Sequence, residues 1–588
     1  MGFFYDNPLV AIVASSFLLW LVRFIVSFVK TRQLFHRLPG PPHHLLWGHM
    51  MVAGTIASRL PKRVHPHVYP CFLTKEYDLP PLYYLDLYPL NHPTLVILDP
   101  QVAQDVLADA TLPKHRSLKD VIAPLAGHAN MLSSYGPMWK KWRSAFNPGF
   151  SVHYLMQQVT TIVDCSEAFV EILDQHATTG RVFRLEEETT KMTIDIIGKA
   201  VCDHDFKALV GDSEFQTLMR KTISWMPDTQ SLNPFHRKHP FRPLFWKYYK
   251  WRLDQYVGKV LDERFTARIG NAEKKARKKT GIDLALEQHF KESGQDVDSR
   301  TTTMSTEFRR NAIDNLLVLL FAGHDTTAST VCYCYHMLSK HPEKLAKIRE
   351  EFNNVFGQDV GAAAKLKQDP FFINKCEYTL AVIKEVLRLW PPGSSGREGR
   401  KGYFVKDPIT GNMLPTENFL LWVPSIAMHR DPRIWGDDAH EFKPERFLSE
   451  NNHKLVPNAY RPFEKGPRNC IGQELALLEM KIVLATTVRE FDIKAAYDEL
   501  DTLDNDGSLW ARDRSEKTGI QKCFGDEAYQ ILLAAGKPRE GMPARVMLGN
   551  VLLGNVALFA LARLIEGSRE RVSKRRVQTQ RHREDEYF

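Results

Sequence analysis

Apolar and polar residues follow two different periods along this 588-residue chain. From Phe308 to Lys340, Pro342 to Phe356 and Tyr378 to Leu389 the apolar positions recur at helical spacing, which predicts three helices. The short runs Thr94–Ile97 and Phe419–Val423 predict strands. No internal repeat is visible. The pattern predicts a mainly α body with a minor β-sheet.

One stretch has almost no polar side at all. Leu9 to Val29 reads LVAIVASSFLLWLVRFIVSFV. At ~1.5 Å of rise per residue it can cross a hydrocarbon core of roughly 30 Å. Its one charge, Arg23, sits near an end, where it can snorkel. A basic leader and a small-residue cleavage site are both missing, so the segment reads as a retained transmembrane helix. Lys30, Arg32 and Arg37 follow it, whereas only Asp6 and the amino terminus precede it. The positive-inside rule then leaves the body cytosolic, on a single-pass anchor.

These readings divide the chain into an anchor (1–29), a basic, proline-rich hinge (30–45, around Leu38–Pro42), a body (46–546) and an extension (547–588). The extension is apolar over 547–562 but diluted by Gly549, Asn550, Gly554 and Asn555. A span there would carry the basic run Arg569 to Arg583 into the lumen. The expectation is a peripheral helix with the basic tail near anionic headgroups, the alternative being a misassigned gene end.

Composition narrows the class. With 44% apolar and 25% charged residues the chain can bury a large core and is not disordered. Much of the net charge of +9 lies in the 569–583 segment, and no basic patch is interleaved with aromatics, so nucleic acid is not an expected partner. Eight scattered cysteines, without zinc-site spacing, argue against a disulfide framework or a zinc site.

Cys470 stands apart from the other seven. It lies in FEKGPRNCIG, Phe463 to Gly472, just before a helical run. Glycine lets backbone approach a bulky group closely, and a following helix N-terminus favours a thiolate. A soft anionic sulfur in a rigid loop suits a single axial ligand to haem iron, and Arg468 suits a carboxylate of the same group.

The pattern F-x-x-G-x-R-x-C-x-G, matched at Phe463, Gly466, Arg468, Cys470 and Gly472, resembles the haem-binding loop of the cytochrome P450 family. The resemblance extends from the proline hinge to about Val546. It implies the cytochrome P450 fold behind one transmembrane helix, with haem b whose iron is ligated by Cys470. Ala322-Gly-His-Asp-Thr326 interrupts an apolar helix with polar residues. The resemblance makes Asp325 and Thr326 a proton-relaying acid–alcohol pair beside a local helix bulge. It joins Glu385, Arg388 and Arg446 in a buried structural charge cluster. Trp139 and Arg143, one helical turn apart, become haem propionate partners. Arg397 is a further one, with Arg400 close by as the alternative.

The implied activity is insertion of one oxygen atom from O2 into an apolar small molecule. Electrons come from NADPH through a flavoprotein reductase, steered by Lys140, Lys141 and Lys465. Membrane lipid is a further partner and the endoplasmic reticulum membrane the location. Non-oxygenase chemistry on this fold, or a non-enzymatic haem protein, are the alternatives. The substrate pocket is expected from the loop before Trp139, from Asn315 to Thr326 and from Gly393 to Gly396. Ile122, Ala123, Leu125, Leu316, Leu319, Leu320, Phe321 and Ala322 make it apolar. Gly525–Ile531 and Gly541–Val546 resemble fungal members of secondary-metabolite pathways, with polyketide and terpenoid substrates both open.

Overall fold

The computed structural model describes residues 8–109, 111–226, 241–268, 280–293, 303–358, 360–504, 506, 508, 510 and 519–549. The predicted helices form at Thr306–Lys340, Pro342–Phe356 and Glu377–Leu389, and the predicted strands at Thr94–Ile97 and Leu420–Val423. The long helix, Thr306–Lys340, starts where the Ser305 hydroxyl accepts from the Phe308 N–H (3.2 Å), satisfying one of the orphan amides of its first turn. Its middle is buried on nearly every side, so its polar residues, among them Asp314, Asn315, His324 and Asp325, are buried along with the apolar ones. The helix Leu185–Ile197 crosses it closely: Thr193 donates to the His324 carbonyl (3.2 Å).

Helices form the main core, which runs from Trp142 and Phe146 through Leu316–Phe321 to Leu475–Val488. A second core lies against a four-stranded sheet in the order Leu82–Leu85, Thr94–Ile97, Leu420–Val423, Ser395–Glu398. The middle pair is parallel and the outer pairs are antiparallel. This pairing fixes Arg397 opposite Leu421. A three-stranded sheet places Pro543–Leu548 between Phe183–Arg184 and Phe491–Ala495. The folded body thus continues through Leu548, two residues into the apolar stretch assigned to the extension; the rest of that stretch, from residue 550, lies outside the described residues.

The apolar N-terminal helix spans Pro8–Phe35, and within it an 18-residue window has a mean hydropathy of 2.2 with none of that window buried. It continues past Val29, so Lys30 and Arg32 belong to the helix and the bend comes after Phe35. Arg32 and Phe35 are buried. Arg32 pairs with Asp86 and donates to the Leu46 (3.1 Å) and Tyr88 (2.7 Å) carbonyls, while Phe35 packs on Tyr84 and Phe419.

Candidate active site

The loop before Cys470 is shaped by two left-handed residues, Glu464 (φ +58°) and Gly466 (φ +80°). A Cβ on Gly466 would come within 3.1 Å of Ala108 Cα, so glycine serves both the turn and a close backbone approach. The Cys470 N–H donates to the Phe463 carbonyl (2.8 Å), closing the loop, and the helix Gln473–Thr487 follows from Gly472. Cys470 sits deep in the protein yet is accessible, because its surface faces a cavity of about 290 Å³. Burial raises its pKa, while the Gly472 N–H and the Arg143 charge pull it back.

The same cavity is lined by Trp139, Arg143, Phe463, Arg468, Thr326 and Lys114. Arg468 stacks its guanidinium over Trp139, 4.5 Å from the ring centroid. One of its nitrogens donates to the Ser134 carbonyl (2.9 Å). Arg143 turns instead to the loop, donating to the backbone and side-chain oxygens of Asn469, both at 2.7 Å. It therefore clamps the residue before Cys470. Arg397 is buried and donates from Nη2 to the Leu107 carbonyl (2.8 Å), leaving Nε and Nη1 without partners among the described residues. Arg400 is exposed, over the Tyr403 ring, so the strand register selects Arg397 as the inward arginine.

Lys114, which sequence reasoning missed, completes this cation group. It lies in an isolated bridge with Arg397, and burial, with the Arg397 charge, pushes its pKa down to about 7. Burial also pushes Arg468 down to about 10, with Arg397 and Arg143 adding to the effect. Only a long-range strand pairing brings Lys114 here, so no local signal marked it. Glu479, buried and without a hydrogen-bonding partner at Oε1 among the described residues, also lines the cavity; burial raises its pKa well above the carboxylate range.

Of the acid–alcohol pair, Thr326 reaches the cavity and Asp325 does not. Neighbouring helix positions point about 100° apart. Thr326 donates to the Ala322 carbonyl (2.9 Å), which leaves its oxygen able to accept from the cavity. Asp325 Oδ1 pairs with Lys537 Nζ (2.7 Å), Lys537 pairs with Glu186, and Asp325 Oδ2 is buried without a partner among the described residues. Burial alone lowers the Lys537 pKa, but the two carboxylates more than offset it and hold the ammonium charged. The expected bulge is not found, since the long helix is continuous from Thr306 to Lys340. Gly323 serves packing: a Cβ there would lie 2.6 Å from Ile197 Cδ1.

The expected pocket wall needs a similar correction. Leu319 and Ala322 line the cavity, joined by Val318, Ile197, Met131 and Phe150. Gly393 lines it as expected. Ile122, Ala123, Leu125, Leu316, Leu320 and Phe321 are not among its lining residues but are buried elsewhere, mostly in the main core, on faces that turn away from it.

The charge cluster is assembled below the site. Arg388 forms a fork with Glu385 (2.8 and 2.7 Å), both fully buried, and caps the carbonyls of His429, Ala439 and Glu441. Arg446 reaches Glu385 at 3.4 Å and Asp438 at 2.8 Å. Of the three lysines named for partner steering, Lys140 is exposed, Lys141 lies over Trp142, and Lys465 is half-buried and bonded to Asn458.

An accessible sulfur faces this cavity together with several cations, Arg468, Lys114 and Arg397, that form no direct ion pair among the described residues, with Glu464 the nearest carboxylate lining it. The chemistry fits a metal-bearing dianion: the sulfur can bind iron, and Arg468, Lys114 and the orphaned Arg397 nitrogens can meet two carboxylates. Such a site belongs to the haem-thiolate class. The family model described as Cytochrome P450 matches residues 38–515, and the chain belongs to that family. It is 35% identical over 532 residues to cytochrome P450 monooxygenase polC of Polytolypa hystricis, covering 89% of this chain and 92% of that protein. It is 35% identical over 511 residues to cytochrome P450 monooxygenase acrF of Aspergillus aculeatus, covering 84% and 99%. The crystal structure of cytochrome P450DA heme domain superposes with a TM-score of 0.65 at 19% identity, over 87% of this chain and 97% of that one. The protein is a monooxygenase, using haem iron and electrons from a redox partner.

Proposed function

We propose that this monooxygenase is held in the endoplasmic reticulum membrane by the Pro8–Phe35 helix, with its body in the cytosol. It takes two electrons from NADPH through a flavoprotein reductase. One atom of O2 enters a C–H bond of an apolar substrate, and the other leaves as water with two protons. The observation that carries this reading is the accessible Cys470 sulfur in a cavity bordered by a cation group on one side and the Thr326 hydroxyl on another.

When bound, haem supplies the activation of O2. The chain's own residues do the rest. Cys470 is the iron ligand, and Arg143 holds its loop through Asn469. Arg468, Lys114 and Arg397 are the partners of the haem carboxylates. Thr326 offers a hydroxyl that accepts from the cavity, while Asp325, turned out of the cavity and paired with Lys537, would act as the carboxylate of the relay only from outside it. Val318, Leu319, Ile197 and Phe150 keep the reacting side apolar and limit water. The Gly525–Ile531 and Gly541–Val546 patterns, with the likeness to monooxygenases of Polytolypa and Aspergillus species, support a secondary-metabolic polyketide or terpenoid substrate. Lys140 and Lys465 are candidates for steering the reductase.

The test is Cys470→Ser. The reduced, carbon monoxide-bound protein should lose the thiolate-type absorption band, because a hydroxyl supplies no soft anionic sulfur. Persistence of that band would overturn the assignment. Comparing extracted metabolites with and without the gene would identify the substrate class.

A further inference from the structure

The part of the cavity wall at residues 392–394 has little local support. The helix Glu377–Leu389 ends before it, and strand pairing begins only after it, at Ser395 opposite Val423. Pro391 and Pro392 carry no N–H, so neither can donate to a ladder. Yet Pro392, Gly393 and Ser394 all line the cavity. What holds this segment comes from far along the chain and acts on its backbone carbonyls. Arg430 donates twice to the Leu389 carbonyl (3.1 and 2.8 Å), and Gln530 Nε2 donates to that of Pro391 (3.1 Å). The Gly536 N–H donates to that of Pro392 (2.8 Å).

Gln530 and Gly536 belong to one hairpin, in which Gln530–Leu533 pairs antiparallel with Ala535–Pro538. Gln530 is fully buried, and both ends of its amide are used: Nε2 on Pro391 and Oε1 with His67 Nε2 (2.9 Å). Its backbone carbonyl accepts from the His65 N–H (2.8 Å), so residues 65–67 grip the strand and the side chain together. An amide oxygen only accepts and its nitrogen only donates. His67 therefore fixes which way the Gln530 amide faces. Gly536 keeps room for that amide, since a Cβ there would lie 2.9 Å from Gln530 Nε2 and 3.3 Å from the Pro392 carbonyl oxygen. On another side the hairpin is anchored by Lys537, on Asp325 (2.7 Å) and on Glu186. Burial alone asks only that an amide find partners. This one takes the carbonyl that directly precedes the lining residues, from a hairpin fixed by two other parts of the body.

We propose that Gln530 is a positioning residue for the oxygenation. Held by His67 and given room by Gly536, its amide sets where the 392–394 wall stands in the cavity, and so which bulky ligands fit against it. This rests on the cavity being the haem and substrate site, the reading given above.

The test uses the full, haem-loaded chain in detergent and two ligands of haem iron, imidazole and 4-phenylimidazole, each followed by its shift of the Soret band. Imidazole is small and reports on the iron alone, whereas the phenyl ring of the larger ligand must fit against the walls. In Gln530→Met, which nearly keeps the side-chain volume and loses the amide, the ratio of the two dissociation constants should change several-fold while that of imidazole holds. Gly536→Ala leaves every hydrogen-bonding group in place but presses on the amide. It should move the ratio in the same direction, and should add little in the Gln530→Met background. An unchanged ratio in Gln530→Met, including one in which both constants shift together, would make Gln530 a structural residue only and overturn the proposal. Gly536→Ala acting at full strength in the Gln530→Met background would overturn it too, because the amide would not then be what places the wall. Should Gln530→Met fail to take up haem, Gly536→Ala alone reads the same ratio, and no change there overturns the proposal. A parent protein whose Soret band neither azole shifts would overturn the reading of the site itself, and the proposal with it.

Discussion

Lys537 is the residue whose environment says most about the site, and nothing near it in sequence announces it. Its ammonium lies between Asp325 and Glu186, all three nearly excluded from water. Replacing it by Met would strand two buried carboxylates. Breaking such an arrangement costs roughly 3–5 kcal/mol. Lys537→Met should therefore lower the unfolding free energy by about that much, and adding Glu186→Gln should restore part of it, as denaturant titration would show. Thr326 makes no such network; its hydroxyl meets only the Ala322 carbonyl and the cavity. Thr326→Ala should keep its fold and its haem. It should lose roughly 10²-fold in product formed and release hydrogen peroxide instead, since the positioned hydroxyl is a proton-transfer group. Equal product per NADPH in the variant and the parent would count against that role. The two residues also mark the limit of reading by motif. The sequence places Asp325 and Thr326 side by side, but the helix turns them to different surroundings. The cation that Asp325 meets comes from a strand far along the chain.

At the scale of elements, packing between two helices accounts for the glycine in the polar stretch that interrupts the long helix. The Leu185–Ile197 helix crosses the long helix so closely that Ile197 occupies the space of a side chain at position 323. Gly323→Ala would gain up to about 1 kcal/mol of helix propensity. Overpacking typically costs about 1–3 kcal/mol, so the variant should be destabilised on balance. Ile197→Ala in the same chain should recover stability relative to the sum of the single changes. Strict additivity in a double-mutant cycle would show that the two positions do not touch. Helices and strands with strong periodicity were legible because each buries a face whose spacing is local. The long helix formed as predicted even though it is buried on nearly every side. The lining of the cavity was not legible in the same way. Leu316, Leu320 and Phe321 share the composition of Leu319, and only the crossing neighbours decide which of the four faces the core and which the site.

The whole molecule carries a set of histidines that folding forces to stay neutral, and this sets its behaviour in acid. His67 is fully buried, with Nε2 against Gln530 Oε1 at 2.9 Å; burial, with the Arg430 charge adding to it, pushes its pKa down to about 3. His429, equally buried and close to Arg388, is pushed down to about 3, and His49 to about 4. In the unfolded chain each would titrate near 6.5. Above that pH neither state binds the proton and stability is unaffected. Between about 6.5 and the folded value the unfolded chain binds a proton that the folded one refuses, so stability falls as pH falls. Each such histidine adds about 1.4 kcal/mol per pH unit to the slope across this window. The haem-binding loop is exposed to this effect, because His429 accepts from the Arg461 N–H just before it (3.1 Å). His67→Gln, in a neighbourhood where Gln530 can still bond an amide, should reduce the slope of unfolding free energy between pH 6 and pH 4 by about that one-proton amount. Measured on the full chain in detergent, parallel slopes for variant and parent would mean that His67 does not stay neutral in the fold.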